Sequence, residues 1–189
     1  TLYPLDGQQR LTTLFLLHAV IRDLSSNAVR KKNCQTALYQ MADPDDNVPE
    51  RSRIVFDIRE EVAQFVQQFV QREGGTLQHG QLQCLASQKD GDTSVRHMSG
   101  ALLRIHAFFA NGISENGLYK FLRSNVLMIY VAAEGLEDAF QLFTVMNNRG
   151  IKLRNSDILK AQNLKEVPAA ERVAQAKKWE VMENYFGEE

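Results

Sequence analysis

Asp6-Gly7-Gln8-Gln9-Arg10 joins a short extended segment, Thr1 to Leu5, to an apolar run through Leu11, Leu14, Phe15, Leu16 and Leu17. A strand that enters a glycine turn and then a helix aims free N–H groups and the positive end of a helix dipole at one spot, an arrangement that binds phosphate. Arg10 adds a planar fork of donors suited to phosphate or carboxylate. Gln8 and Gln9 add amides that can contact a base, a ribose or a water. The same residues also make an ordinary helix start. Asp6 is then the N-cap, Gly7 allows the turn, and Arg10 pairs with a surface acid. A carboxylate at Asp6 repels a phosphate at the same helix start. Both fit only where Asp6 caps from the side or a divalent cation bridges them.

A second dense cluster lies at Asn147, Arg149, Gly150, Asp157 and Lys160. Residues 141–165 hold Arg149, Lys152, Arg154, Lys160 and Lys165 against Asp157, a local net charge of +4. A basic turn of this kind holds polyphosphate or a nucleic-acid backbone. The structural readings are equally concrete. Arg149 complements a helix C-terminus, Asp157 a helix start, Lys160 pairs with Asp157 one turn on, and Asn147 is a polar surface residue. A triphosphate needs more than one arginine. Arg10 and Asn147 or Arg149 are therefore expected to face one cleft, although at least 137 residues separate them.

The elements that position these residues are mostly helical. Thr1 to Asp6 reads as a buried strand, and Gln8 to Leu24 as a helix apolar almost all round, hence deep in the core. Ser25 to Asn33 reads as a polar link, Cys34 to Met41 as a short helix, 43–47 as a loop, and Ser52 to Asp57 as a short strand. Arg59 to Arg72 places Val62, Phe65, Val66, Phe69 and Val70 on one helical face. Gly74 to Ser94 reads as a flexible excursion with weak helix at 82–85. Val95 to Ala110 is a second amphipathic helix, and Glu115 to Arg123 a third helix.

Asn125 to Ala132, apolar and β-branched, is the best strand in the chain. A helix over 136–148 ends at Gly150; another is capped by Asn155 or Ser156; a last one runs to about Tyr185, with Trp179 and Tyr185 as core or interface contacts. Leu14, Leu17, Ile129, Phe140 and Phe143 are expected to be nearly fully buried. The fold class is α+β and predominantly helical, with a small sheet whose strand ends feed both motifs. The chain is expected to be one domain fragment, 1–189, with a helical insert at about 25–115.

Composition narrows the function. The 189 residues are 44% hydrophobic and 24% charged, with a net charge of −1, so any nucleic-acid binding needs a local patch. Cys34 and Cys84 form no CxxC pair, and a reduced, cytoplasmic setting is expected. No apolar run suits a bilayer, and no signal peptide is visible. Because the chain opens on Thr1 inside a strand, an upstream part is expected. There is no GxxxxGK[ST] loop, no HExxH and no GxSxG. His18, His79, His97 and His106 show no metal-ligand spacing; His18 reads as a half-buried helix residue, and His97 and His106 as residues of an amphipathic helix.

Asp-Gly-Gln-Gln-Arg-Leu-Thr-Thr-Leu at 6–14, paired with Phe-x3-Asn-x-Arg-Gly-x2-Leu-x3-Asp-x2-Lys at 143–160, resembles the ParB-like N-terminal domain of GmrSD-type restriction endonucleases. The two motifs cover about 30 residues and stand in the family's order. The resemblance implies a ParB/sulfiredoxin-like core that binds nucleotide at a Gly-x-x-Arg turn, where Gly7 to Arg10 stand. It implies a nucleoside triphosphate-binding and hydrolysing regulatory module of a modification-dependent, phage-defence restriction system, acting with Mg²⁺. Asp6, Gln8, Gln9 and Arg10 match the catalytic motif. Gly7, Arg10, Asn147, Arg149, Gly150, Asp157 and Lys160 match the nucleotide-binding set. The family's N-terminal Pro-x-Tyr-Gln-Arg-like stretch is absent from this chain, and so is any His-Asn-His nuclease centre, so DNA cleavage is expected from a nuclease domain elsewhere. The alternative is a non-catalytic DNA-binding or protein-interaction module.

Overall fold

A computed structural model describes residues 7–56, 60–129 and 131–132, and beyond these only isolated positions between 159 and 185. Two compact units divide the chain, Thr1–Ile129 and Tyr130–Glu189. The described residues of the first unit form six α-helices and one two-stranded antiparallel sheet: α1 (Gln8–Leu24), α2 (Ala28–Leu38), β1 (Tyr39–Gln40), β2 (Arg51–Ser52), α3 (Glu60–Phe65), α4 (His79–Ser87), α5 (Thr93–Ala110) and α6 (Glu115–Asn125). The fold is predominantly helical α+β.

Helix α1 begins and ends where its sequence pattern does. It is two-faced along its length, however. Gln8 to Leu11 are exposed, and the core begins at Phe15, Leu16, Ala19, Val20 and Ile21. Leu14 and Leu17 are only half-buried. The face of Val62, Phe65, Val66, Phe69 and Val70 is buried as its spacing predicts. Its backbone is not uniformly α-helical: α3 passes into a π-helical turn over Val66–Gln71, and the Arg72 N–H closes on the Gln67 carbonyl. A 3₁₀ turn, Gly75–Leu77, follows at once. At Gly75 a Cβ would stand 2.6 Å from the Gln68 carbonyl oxygen and 2.7 Å from that of Phe69. No side chain fits there, because backbone carbonyls cannot swing aside. Gly75→Ala should therefore destabilise by about 1–3 kcal/mol through overpacking. Urea denaturation checks this, and an unchanged midpoint would refute the close approach.

Arg22 and Asp23 lock this turn to α1. Both side chains are almost wholly buried, 1% and 0% exposed, and Arg22 Nε donates to Asp23 Oδ1 at 2.8 Å. The guanidinium also donates to Gln35 Oε1 (2.7 Å), the Gln71 carbonyl (2.9 Å) and the Arg72 carbonyl (2.7 Å). Those two carbonyls end the π-helical turn, where partial negative charge collects. Asp23 accepts from the Gly74 N–H, the Thr76 N–H and the Thr76 hydroxyl. Burial pushes the Asp23 carboxyl up, but the hydrogen bonds from Arg22, Gly74 and Thr76 outweigh it and hold it below its ordinary value. His106 is held below its own value by burial and by the neighbouring His79.

Both shifts act in the same direction. Each group, when unfolded, takes up a proton at higher pH than when folded, so stability falls with acidification. The loss should begin as pH drops through about 6.5, where an unfolded histidine titrates, and deepen below about 4 as Asp23 protonates. Urea unfolding across pH tests this. The upper step should vanish in His106→Phe, and its persistence would show that another group causes it.

Several expected elements differ. α2 begins at Ala28, inside the stretch read as a polar link, because the Asn27 side chain caps it by accepting from the Arg30 N–H. The stretch read as a flexible excursion contains α4, whose Leu82 is fully buried, and the buried Gly75 and Thr76. Among the described residues of 125–132 there is no strand. α6 runs through Asn125, and Leu127 and Ile129 are 96% and 88% exposed. The expected burial of Ile129 is thus wrong. β-propensity describes a side chain that fits a pleated surface, and no described strand lies beside this one. The sheet instead pairs Tyr39 with Ser52 and Gln40 with Arg51. On α5, Phe109 is buried and its neighbour Phe108 is 47% exposed.

The expected strand at 1–6, and the expected burial of Phe140 and Phe143, lie outside the described residues. In the second unit, Trp179 lines an apolar cavity of about 830 Å³ with Val167, Ala174 and Met182. Tyr185 is 84% exposed, so it is no core residue.

Candidate functional site

Gly7 is the N-cap of α1, with φ 82° in the left-handed region that favours glycine. The Leu11 N–H closes the first turn on the Gly7 carbonyl at 2.8 Å. The amides of Gln8, Gln9 and Arg10 therefore belong to the helix's first turn. No acidic residue lies in that turn, and no side chain caps it at Gly7.

Arg10 folds back toward this end. Its Nη2 lies 3.6 Å, and its Nε 3.9 Å, from the point where a Cβ on Gly7 would stand. Glycine thus serves twice, for the left-handed turn and for room beside the guanidinium. Gln8, Gln9 and Arg10 are all exposed. Thr13, one turn on, spends its hydroxyl on the Gln9 carbonyl at 2.8 Å. One guanidinium and two side-chain amides thus stand on exposed residues at this helix start.

The chain matches the GmrSD restriction endonuclease N-terminal domain over residues 1–164. It belongs to that family. Residues 6–14 and 143–160 both fall within the matched GmrSD N-terminal domain, so the motifs that point to the family sit inside the region that defines it. No curated protein and no solved structure matches the chain.

Of the residues assigned to this GmrSD domain's site, Gly7, Gln8, Gln9 and Arg10 are brought together at one helix start. Asp6, Asn147, Arg149, Gly150, Asp157 and Lys160 lie outside the described residues. Among the described residues, no group of three histidine, cysteine or carboxylate side chains could hold a metal ion. No described helix is long and apolar enough to cross a membrane. His18 is the half-buried helix residue its position suggests, with Nδ1 2.7 Å from the Leu14 carbonyl oxygen. Cys34 is buried, and burial pushes its thiol up to about 11, so it is no nucleophile near neutral pH.

Two groupings escaped the sequence reading. One is the Arg22–Asp23 pair. Its signal is two adjacent charges directly after the apolar run Ala19-Val20-Ile21. The other is the pairing of His79 with His106, ring centroids 4.5 Å apart and edge to face. They stand 27 residues apart in sequence and on different helices, so no local spacing announces them.

Proposed function

We propose that this GmrSD-type domain is the nucleoside triphosphate-binding and hydrolysing regulatory module of a modification-dependent restriction (phage-defence) system. The observation that carries the reading is the start of α1: a left-handed Gly7, a first turn without acid, and the Arg10 guanidinium beside it. Family membership supports the restriction context. Arg10 holds the phosphates together with the first-turn amides. Gln8 and Gln9 position water or contact the base and ribose. Asp6 caps the helix from the side or meets Mg²⁺, which offsets its repulsion of the phosphates. Phosphoryl transfer suits such a donor set, because its transition state needs positioned charge more than covalent chemistry. Asn147, Arg149, Gly150, Asp157 and Lys160 contribute further phosphate contacts. A nuclease domain of the whole protein supplies DNA cleavage.

The test is a titration with a panel of nucleoside triphosphates, with and without Mg²⁺. Saturable binding that needs Mg²⁺ is expected, and absence of binding to the whole protein would overturn the reading. The net charge of +4 over residues 141–165 favours a second reading, contact with a DNA backbone. Salt separates the two: log affinity for a backbone falls linearly with log salt, whereas nucleotide affinity should follow Mg²⁺ more closely.

A further inference from the structure

A cavity of about 650 Å³ opens in the first unit among the C-terminal end of α1, α4 and α5. Leu24, Leu103, Ala107 and Ile113 give it apolar walls, and Gln83 adds one amide to the lining. Its size falls in the range of about 300–1,000 Å³ typical of small-molecule sites. His106 lines it, is 8% exposed, and has no hydrogen-bond partner at Nε2. Its ring also makes a hydrogen bond to the backbone of Thr76. With Nε2 unpartnered, that bond falls to Nδ1–H, which leaves a lone pair on Nε2. Burial and His79 favour the neutral ring. A buried acceptor left without a donor is costly, and folded proteins seldom carry one.

We propose that this cavity binds a small neutral compound, apolar in body, with an O–H or N–H donor that is accepted by His106 Nε2. Charge is excluded by the surroundings. The Glu115 carboxylate on the rim is already held by Arg30 at 2.8 Å, and Arg30 also binds Asn116. Neither ion remains to neutralise a charged ligand. A metal is also disfavoured, since no third ligating side chain joins His79 and His106 among the described residues. His79 is exposed on the first turn of α4 and gives the site a side chain that can move to admit the donor to Nε2. This site is independent of the helix start at Gly7.

Phenol and toluene are the probes, added to the full chain. They share a ring and differ in the donor. Phenol should raise the thermal midpoint saturably and shift the His106 Nε2 resonance in an imidazole ¹⁵N spectrum. Toluene should bind without that shift. The ratio of phenol to toluene affinity should fall about ten-fold in His106→Phe, the loss of one buried hydrogen bond; the ratio cancels the different water affinities of the two probes. Ala107→Trp, at an exposed wall position, should block both probes while leaving the fold intact. If His106→Phe does not fold, the Nε2 shift in the native chain and its loss in Ala107→Trp decide. Phenol binding that leaves Nε2 unmoved, an unchanged ratio, or no binding of either probe up to its solubility limit would overturn the proposal.

Discussion

Arg22→Leu should cost about 3–5 kcal/mol of stability, the range seen when one partner of a buried ion pair is removed. The loss has three parts. Asp23 stays buried with its main counter-charge gone, although the Gly74 and Thr76 donors remain. The Gln71 and Arg72 carbonyls lose the donors that close the π-helical turn. A leucine also fills less of the site than the guanidinium did. Arg22→Lys should recover little, because an ammonium cannot present a fork to Asp23 and to two carbonyls at once. Denaturant unfolding of both variants measures this. A loss under about 1 kcal/mol would mean that desolvation of the pair cancels its bonds, as happens in some proteins. Combining Arg22→Leu with Asp23→Asn should cost clearly less than the sum of the two, since both act on one network.

Arg10→Ala should lower nucleotide affinity about 100-fold while moving stability by no more than about 0.5 kcal/mol. One or two charge-assisted hydrogen bonds, at roughly 1.5–3 kcal/mol each, account for the first figure. The second follows from exposure: Arg10 contributes to no part of the core, and surface substitutions usually cost little. Calorimetric titration and thermal unfolding must be read together. Unchanged affinity, or loss of the fold, would sink the assignment of the Gly7–Arg10 turn. Arg149→Ala, measured in the same way, tests the second motif separately. Weaker nucleotide binding is expected there too, and a change confined to DNA affinity would move that motif to the backbone-binding reading.

Particular elements show where local pattern is enough. Gln8 to Leu24 was legible to the residue because a glycine turn opens it and a polar stretch closes it. The face running from Val62 to Val70 was legible because five apolar side chains recur at helical spacing, although the same periodicity gave no hint of the π-helical turn. α4 is longer than the weak helix expected at 82–85, because its histidine, glycine, cysteine and serine carry weak propensity; it gains its place by packing on α5 with Leu82 fully buried. The strand expected at 125–132 was read from composition alone, and a strand exists only where another strand pairs with it.

The family, the helical class and the helix that begins at Gly7 are written in the sequence, because they rest on residues within a few positions of one another. Only the tertiary structure decided which charges are buried, which aromatic of the Phe108–Phe109 pair faces the core, and where a histidine is left without a partner. Arg22 meets Gln71 and Arg72, and His106 meets His79, across 27 to 50 residues of chain. Such meetings depend on how packed helices bring distant side chains together, and no local periodicity encodes that distance.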